Sequence, residues 1–190
     1  KKNLRDILPV LRRAIGEHLI ITRHTVAWNP DQPYWLDMEQ FYTVLETVGP
    51  ETTVADLRTA IHLYQGEFLE GFYIDDAPLF EEWVTVKREW LYKLAMQGLH
   101  LLAERHLEQH EYSAGLLVTQ RALALEPTSE RAHRQQMRLL AYSRQSGAAL
   151  AQYALCRRLL AEEIGVEPAL ETTLLAEEIR NGELIGEDGW

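Results

Sequence analysis

Residues 111–127 read EYSAGLLVTQRALALEP. Four small residues, Ala114, Gly115, Ala122 and Ala124, stand in a run with no strand signal, and the run stops at Glu126-Pro127. The side chains at a contact set how closely two helices approach. The stretch therefore predicts a helix over 112–125 against which a second helix lies close. No catalytic motif adjoins it. The main business of the chain is expected to be the presentation of packed helices.

A shift of the sequence by 34 residues repeats the pattern. Gly115 meets Ala149, Leu116 meets Leu150, Ala122 meets Cys156 and Leu125 meets Leu159. Small falls on small and leucine on leucine. A helix–turn–helix period of 34 is the tetratricopeptide signature, in which a proline closes the second helix. Pro127 holds that place in the first unit, and closure of the second waits for Pro168 in EEIGVEP. The first helix of unit one offers Leu99 and Ala103. The second unit has the less typical His133 and Met137 there, and residues 169–180 serve as a capping helix. An ordinary helical bundle also places small residues at contacts. In either architecture no unit buries its apolar face alone, so neighbours must stack.

The rest of the composition is compatible with this. The chain has 190 residues and 46% hydrophobic content, enough for a core and against disorder. No apolar run reaches the roughly 18 residues that span a bilayer, and residues 1–19 contain no secretory apolar core with a small-residue cleavage site. The single cysteine, Cys156, allows neither an intrachain disulfide nor a cysteine metal cluster. A cytoplasmic protein without membrane contact is expected. The formal charge of −10 argues against non-specific nucleic-acid binding by the whole chain. Residues 1–24, however, hold six Lys/Arg against two acids, a local +4 that leaves −14 for the remainder. A basic head precedes an acidic body.

Along the head, residues 3–15 predict a short amphipathic helix with Leu4, Leu8, Leu11 and Ile15 on one face. Pro9 is a blemish in it, and Gly16 a stop. Residues 19–22 and 25–28 predict a hairpin around Arg23-His24, a poor turn pair. A short strand is expected at 34–36. From there strand signals vanish. Asp37 is expected to cap a helix to about residue 46, and Thr53 one to about 64. Asp75-Asp76 are expected to cap a long helix over about 77–109, with Pro78 in its first turn and Gly98 the one breaker. Unbroken, it spans about 50 Å at ~1.5 Å per residue. Helices over 129–143, 148–163 and 169–180 complete the reading.

Two segments carry a resemblance: LYQGEFLEGFYIDDAPLFEEWVTVKREWLYKLA, residues 63–95, and ALAQYALCRRLLAEEIGVEPALET, residues 149–172. Both resemble the bacterial transcriptional activator domain, the tetratricopeptide-like domain of SARP-type regulators. In that family it follows a response-regulator-type winged helix. NLRDILPVLRRAIGEHLIITRHTVAWNPDQPYWLD, residues 3–37, looks like the last part of such a winged helix, its recognition helix and wing hairpin. The resemblance covers about residues 3–180. It implies a mainly α chain, with a partial winged helix over 1–36 and the helical domain over 37–190. Since the first strands and two helices of a winged helix do not precede Lys1, a fragment that binds DNA poorly by itself is expected.

The resemblance implies DNA-binding roles for Asn3 and Arg5 at base edges or phosphates, and for Arg12, Arg13, Arg23 and His24 at phosphates, in a parent that binds promoter DNA. The alternative for these cations is a solvated helix face. The helical domain would contact proteins or a second copy of itself, and a generic interaction scaffold without DNA binding is the alternative function. No enzyme, cofactor or metal site is expected. His106 and His110 are four apart but have no HExxH arrangement and no third ligand, so with His100 they read as surface or interface histidines. Glu162-Glu163 read as a solvated face, and Cys156 as a buried structural thiol. Phe72, Tyr73, Phe80, Trp83 and Trp90 are expected to pin GEFLEGF into the core, or in part to form a partner surface.

Overall fold

The computed structural model describes residues 4–49 and 51–184, with side chains from residue 6 onward. Among the described residues it holds eight α-helices and one two-stranded sheet: α1 (Leu4–Ile15), β1 (Leu19–Ile21), β2 (Val26–Trp28), α2 (Asp37–Glu46), α3 (Val54–Leu63), α4 (Pro78–Glu108), α5 (Tyr112–Leu125), α6 (Glu130–Tyr142), α7 (Ser146–Leu159) and α8 (Leu170–Asn181). The chain divides into two compact units, Lys1–Asp37 and Met38–Trp190.

In the first unit α1 runs through Pro9 without interruption and gives way at Gly16 to a single 3-10 turn. β1 and β2 pair antiparallel with Leu19 opposite Trp28 and Ile21 opposite Val26. The strand expected at 34–36 does not form. A strand needs a ladder partner, and Tyr34 instead sets its ring edge-on against Trp28, centroids 5.5 Å apart.

In the second unit each helix from α3 packs on the next, and α4 also touches α6, as α6 touches α8. This is the stacked arrangement that the 34-residue repeat predicts. α3 starts at a capping box: Asp56 N–H donates to Thr53 Oγ1 at 3.1 Å and Thr53 N–H to the Asp56 carboxylate at 3.0 Å. The Thr53 hydroxyl also donates to that carboxylate at 2.7 Å, and this bond first, then the Thr53 N–H, holds the Asp56 carboxyl below its ordinary pKa. α2 begins at Asp37 itself. At α4 the expected Asp76 cap is absent. Ala77 is the N-cap, without a side-chain cap bond, and Pro78 fills the first helical position. Asp76 instead turns the chain at a left-handed φ of 59°, a conformation that Asp tolerates better than most residues.

Gly98 does not break α4. A Cβ there would come within 2.6 Å of Ile61 Cδ1 and 2.8 Å of Leu45 Cδ2, so glycine is what lets α2 and α3 seat on the helix. Gly115 does the same for α5 against α6: an added Cβ would lie 2.6 Å from Leu139 Cδ2. Ala122, Ala149 and Cys156 are buried as well, as the register requires, whereas Ala124 faces solvent. His133 and Met137, atypical for the repeat, are both fully buried. α7 starts two residues earlier than expected and ends in one π turn, Leu160–Ile164, which Gly165 closes at a left-handed φ of 76°. Burial of Leu57, Leu99, Met137 and Leu139 contributes about 1.5–3 kcal/mol per side chain.

Candidate functional site

The sequence singles out two places, the cations of the first unit and the helical stack of the second. In the first unit the weak Arg23-His24 turn is closed by its neighbours. Thr22 N–H donates to Thr25 O at 2.9 Å, and the Thr22 hydroxyl accepts from the backbone N–H of His24 (3.2 Å) and of Thr25 (3.0 Å). The two threonine hydroxyls share a 2.7 Å bond. A hydroxyl mimicking a backbone turn makes unnecessary the glycine that the pair lacks. Flanking threonines were the signal that reading the central pair alone overlooks. The turn leaves Arg23 and His24 in solvent.

At the hairpin's other end His18 stacks on Trp28 at 5.4 Å, and Asn29 ties back through its N–H to His18 O and through Nδ2 to Glu17 O. Arg12 and Arg13 are exposed in the last turn of α1, where cations oppose the negative end of the helix. Arg13 reaches back only to Pro9 O at 3.4 Å. Asn3 and the side chain of Arg5 lie outside the described residues. Four of the six expected DNA-contact residues are thus exposed on a helix end and a hairpin turn of one unit.

In the helical stack His100 and His106 follow the interface half of their surface-or-interface reading and not the surface half, since both are buried between helices. His100 Nδ1 and Gln135 Oε1 are 2.7 Å apart, and Gln135 Nε2 donates to His100 O and to Glu104. His106 Nδ1 lies 2.7 Å from Glu111, while exposed His110 bonds the Tyr112 hydroxyl. The pair expected as a remote metal candidate is therefore engaged elsewhere, and among the described residues no group of three or more His, Cys, Asp or Glu could hold a metal. His133 Nε2 donates to Pro127 O at 2.9 Å, and its Nδ1 accepts from Gln152 at 2.6 Å. Both ring nitrogens are satisfied by a neutral imidazole. Burial lowers the pKa of His133 and of His100.

The start of α8 is held from α6. Glu130 accepts from Ala169 N–H at 2.8 Å and from the Thr172 hydroxyl at 2.6 Å, and Arg134 donates to that hydroxyl at 2.9 Å. Ala169 cannot cap the helix itself, so a carboxylate 39 positions earlier does so. Sequence reasoning missed this because capping rules are local. Cys156 is buried, and its thiol is pushed up to about 11 by that burial. It is no nucleophile at neutral pH. Glu162 and Glu163 are exposed, as expected.

The aromatic group departs from the core reading. Phe72 meets Phe80, Phe80 meets Trp83 and Trp83 meets Phe68, with centroids 5.6–6.0 Å apart. Yet Phe72, Tyr73 and Trp83 remain exposed. Only Phe68 and Trp90 pack partly against the buried cluster. The loop is anchored instead by Arg88, whose Nε donates to Phe68 O (2.7 Å) and Nη2 to Leu69 O (2.8 Å). Beside it lies an open cleft of about 450 Å³ lined by Tyr64, Glu67, Glu70, Glu89 and Tyr92 among others. Burial and the nearby Glu126 carboxylate push Tyr92 up to about 12.

No helix among the described residues is long and apolar enough to cross a membrane. Compared with known families, residues 40–180 match the family model of the bacterial transcriptional activator domain. A comparison with curated proteins finds no match.

Proposed function

The chain belongs to the bacterial transcriptional activator domain family, a regulatory rather than an enzymatic family, and from that premise we propose that its helical unit positions an attached winged helix on promoter DNA. The carrying observation is the order of parts ahead of the matched residues: a helix ending in exposed Arg12 and Arg13, then a hairpin whose turn exposes Arg23 and His24. In this reading α1 is the recognition helix and β1–β2 the wing. Arg12, Arg13, Arg23 and His24 contact phosphates, while Asn3 and Arg5, near the start of the helix, reach base edges or phosphates. Helix-turn-helix proteins place their second helix in the major groove, and cations along the backbone fix register. The acidic body keeps the rest of the chain off the polyanion.

The test is fluorescence anisotropy of labelled promoter duplexes with a protein in which the strands and two helices of a complete winged helix precede residue 1. Binding is expected to depend on sequence and salt. Arg12→Ala with Arg13→Ala reduces the slope of log K against log salt by about 2, since each phosphate contact contributes about 0.9. Absence of binding even at low salt would refute the reading and leave a protein-interaction scaffold.

A further inference from the structure

The first three turns of α4 carry an apolar stripe that stays largely exposed, with only Trp83 held by neighbouring rings. Leu79, Trp83 and Val86 follow one another at i, i+4 and i+7, and their exposures are 81%, 45% and 60%. At 100° per residue the three, with half-buried Trp90, fall within one narrow sector of the helix surface. The rings of Phe80 and Phe72 extend the sector on one side through the contacts described above. Apolar side chains at such spacing normally face a core, and a contiguous exposed apolar patch marks an interaction surface. The stripe is rigid, since it rides on a helix of 31 residues and Trp83 is wedged between Phe68 and Phe80. A partner therefore meets preformed aromatic anchors, with little ordering of side chains on binding.

Charge decides what that partner is. Residues 65–86 contain six acids (Glu67, Glu70, Asp75, Asp76, Glu81 and Glu82) and no Lys or Arg. Glu82 and Glu89, seven apart, run along the edge of the stripe away from Phe80. Beyond that edge opens the cleft to which Glu67, Glu70 and Glu89 contribute, with the rings of Tyr64 and Tyr92. The neighbouring cations are engaged locally: Lys87 lies over the Trp90 ring at 4.5 Å, Arg88, which also lines the cleft, holds the loop carbonyls and stands 3.7 Å from Glu67, and Lys93 pairs with Glu89 at 2.6 Å, so the acids still outnumber the cations along this margin. An apolar stripe with an acidic margin complements a helix that has apolar residues at i, i+4, i+7 and Lys or Arg along one flank.

We propose that the stripe Leu79–Trp83–Val86 is a docking surface for a basic amphipathic helix of another protein, whose cationic side chains enter the Glu67/Glu70/Glu89 cleft. The surface lies within the second unit and does not depend on DNA binding by the first. The probe is a 14-residue helical peptide of leucine and lysine, set against the same peptide with glutamate for lysine, titrated by calorimetry into the whole chain. The lysine peptide is expected to bind, with affinity falling as salt rises. Leu79→Ser with Val86→Ser weakens it at least tenfold, and Glu82→Lys with Glu89→Lys at least fivefold. Since these side chains are exposed, far-ultraviolet circular dichroism should show both variants folded as the parent. Equal binding of the two peptides, binding by neither, or binding untouched by Leu79→Ser with Val86→Ser would overturn the proposal. So would sedimentation showing a dimer that this serine pair dissolves, because a second copy would then be the occupant.

Discussion

Gly115→Ala tests the helix contact on which the fold reading depends. In an exposed helix interior, replacing glycine with alanine stabilises by about 1 kcal/mol, because alanine loses less backbone entropy. At Gly115 the new methyl would stand 2.6 and 3.0 Å from the two methyls of Leu139 and 3.3 Å from His106 Cβ. Carbon atoms rest at about 3.5–4.0 Å. Leu139 is fully buried, so its methyls can only move into occupied space. Overpacking of this kind costs about 1–3 kcal/mol. The clash outweighs the helix gain, and the net effect is a loss of about 1 kcal/mol. Gly147 supplies the control. It is exposed in the first turn of α7, and a Cβ there meets nothing within 4 Å. Gly147→Ala should therefore gain roughly 0.5–1 kcal/mol, the propensity effect alone. Urea titrations of both variants, followed by circular dichroism, measure the difference of about 2 kcal/mol between them. In a chain of this size it corresponds to a melting-temperature gap of about 4–8 °C. If Gly115→Ala were as stable as Gly147→Ala, the close α5–α6 approach would be wrong.

Acid should weaken the helical stack through its buried histidines. Burial lowers the pKa of His133 and His100 in the folded chain, while unfolded histidine titrates near about 6.5. The unfolded chain thus takes up protons first. Stability is full above about pH 6.5 and declines as pH falls through the folded values. Nuclear magnetic resonance titration of the His133 ring should give a midpoint below the unfolded one, and a midpoint at or above it would contradict the neutral ring between Pro127 and Gln152. Glu130→Ala removes the acceptor of Ala169 N–H and the Thr172 hydroxyl. Hydrogen bonds to a charged group contribute roughly 1.5–3 kcal/mol, so amide exchange across α8 should accelerate by one to two orders of magnitude while that of α4 holds. Unchanged α8 protection would show that packing alone retains the helix.

Local signals made most of the array legible from the chain alone. Thr53 with Asp56 announces the start of α3, Pro78 marks the first turn of α4, and the small residues at 115, 122, 149 and 156 mark the contacts in register. What escaped was set by partners distant in sequence. His106 follows Leu99 and Ala103 at helical spacing on the packing face, whereas His100 lies off that row, and Gln135, 35 positions away, makes its burial tolerable. Gly98 looks like a breaker because Leu45 and Ile61, which need its missing Cβ, precede it by dozens of residues. The aromatic residues near 72–83 share the composition of a core, and composition cannot say which side of a helix the remaining layers cover. For the candidate DNA contacts, the charge asymmetry and the hairpin were visible, whereas the threonine bonds that hold the turn were not.

The 31 residues of α4 make a rod of about 46 Å at ~1.5 Å per residue. Its early turns expose the stripe, its middle receives Ile61 and Leu45 at Gly98, and its far end meets α5 and α6. A sharp kink in a helix needs a local cause such as an internal proline, and the sole proline of α4 is Pro78 at its tip. A displacement at Leu79 is therefore carried along the rod toward the contacts at Gly98 and at α5 and α6, so that whatever grips the tip pulls on more than one layer.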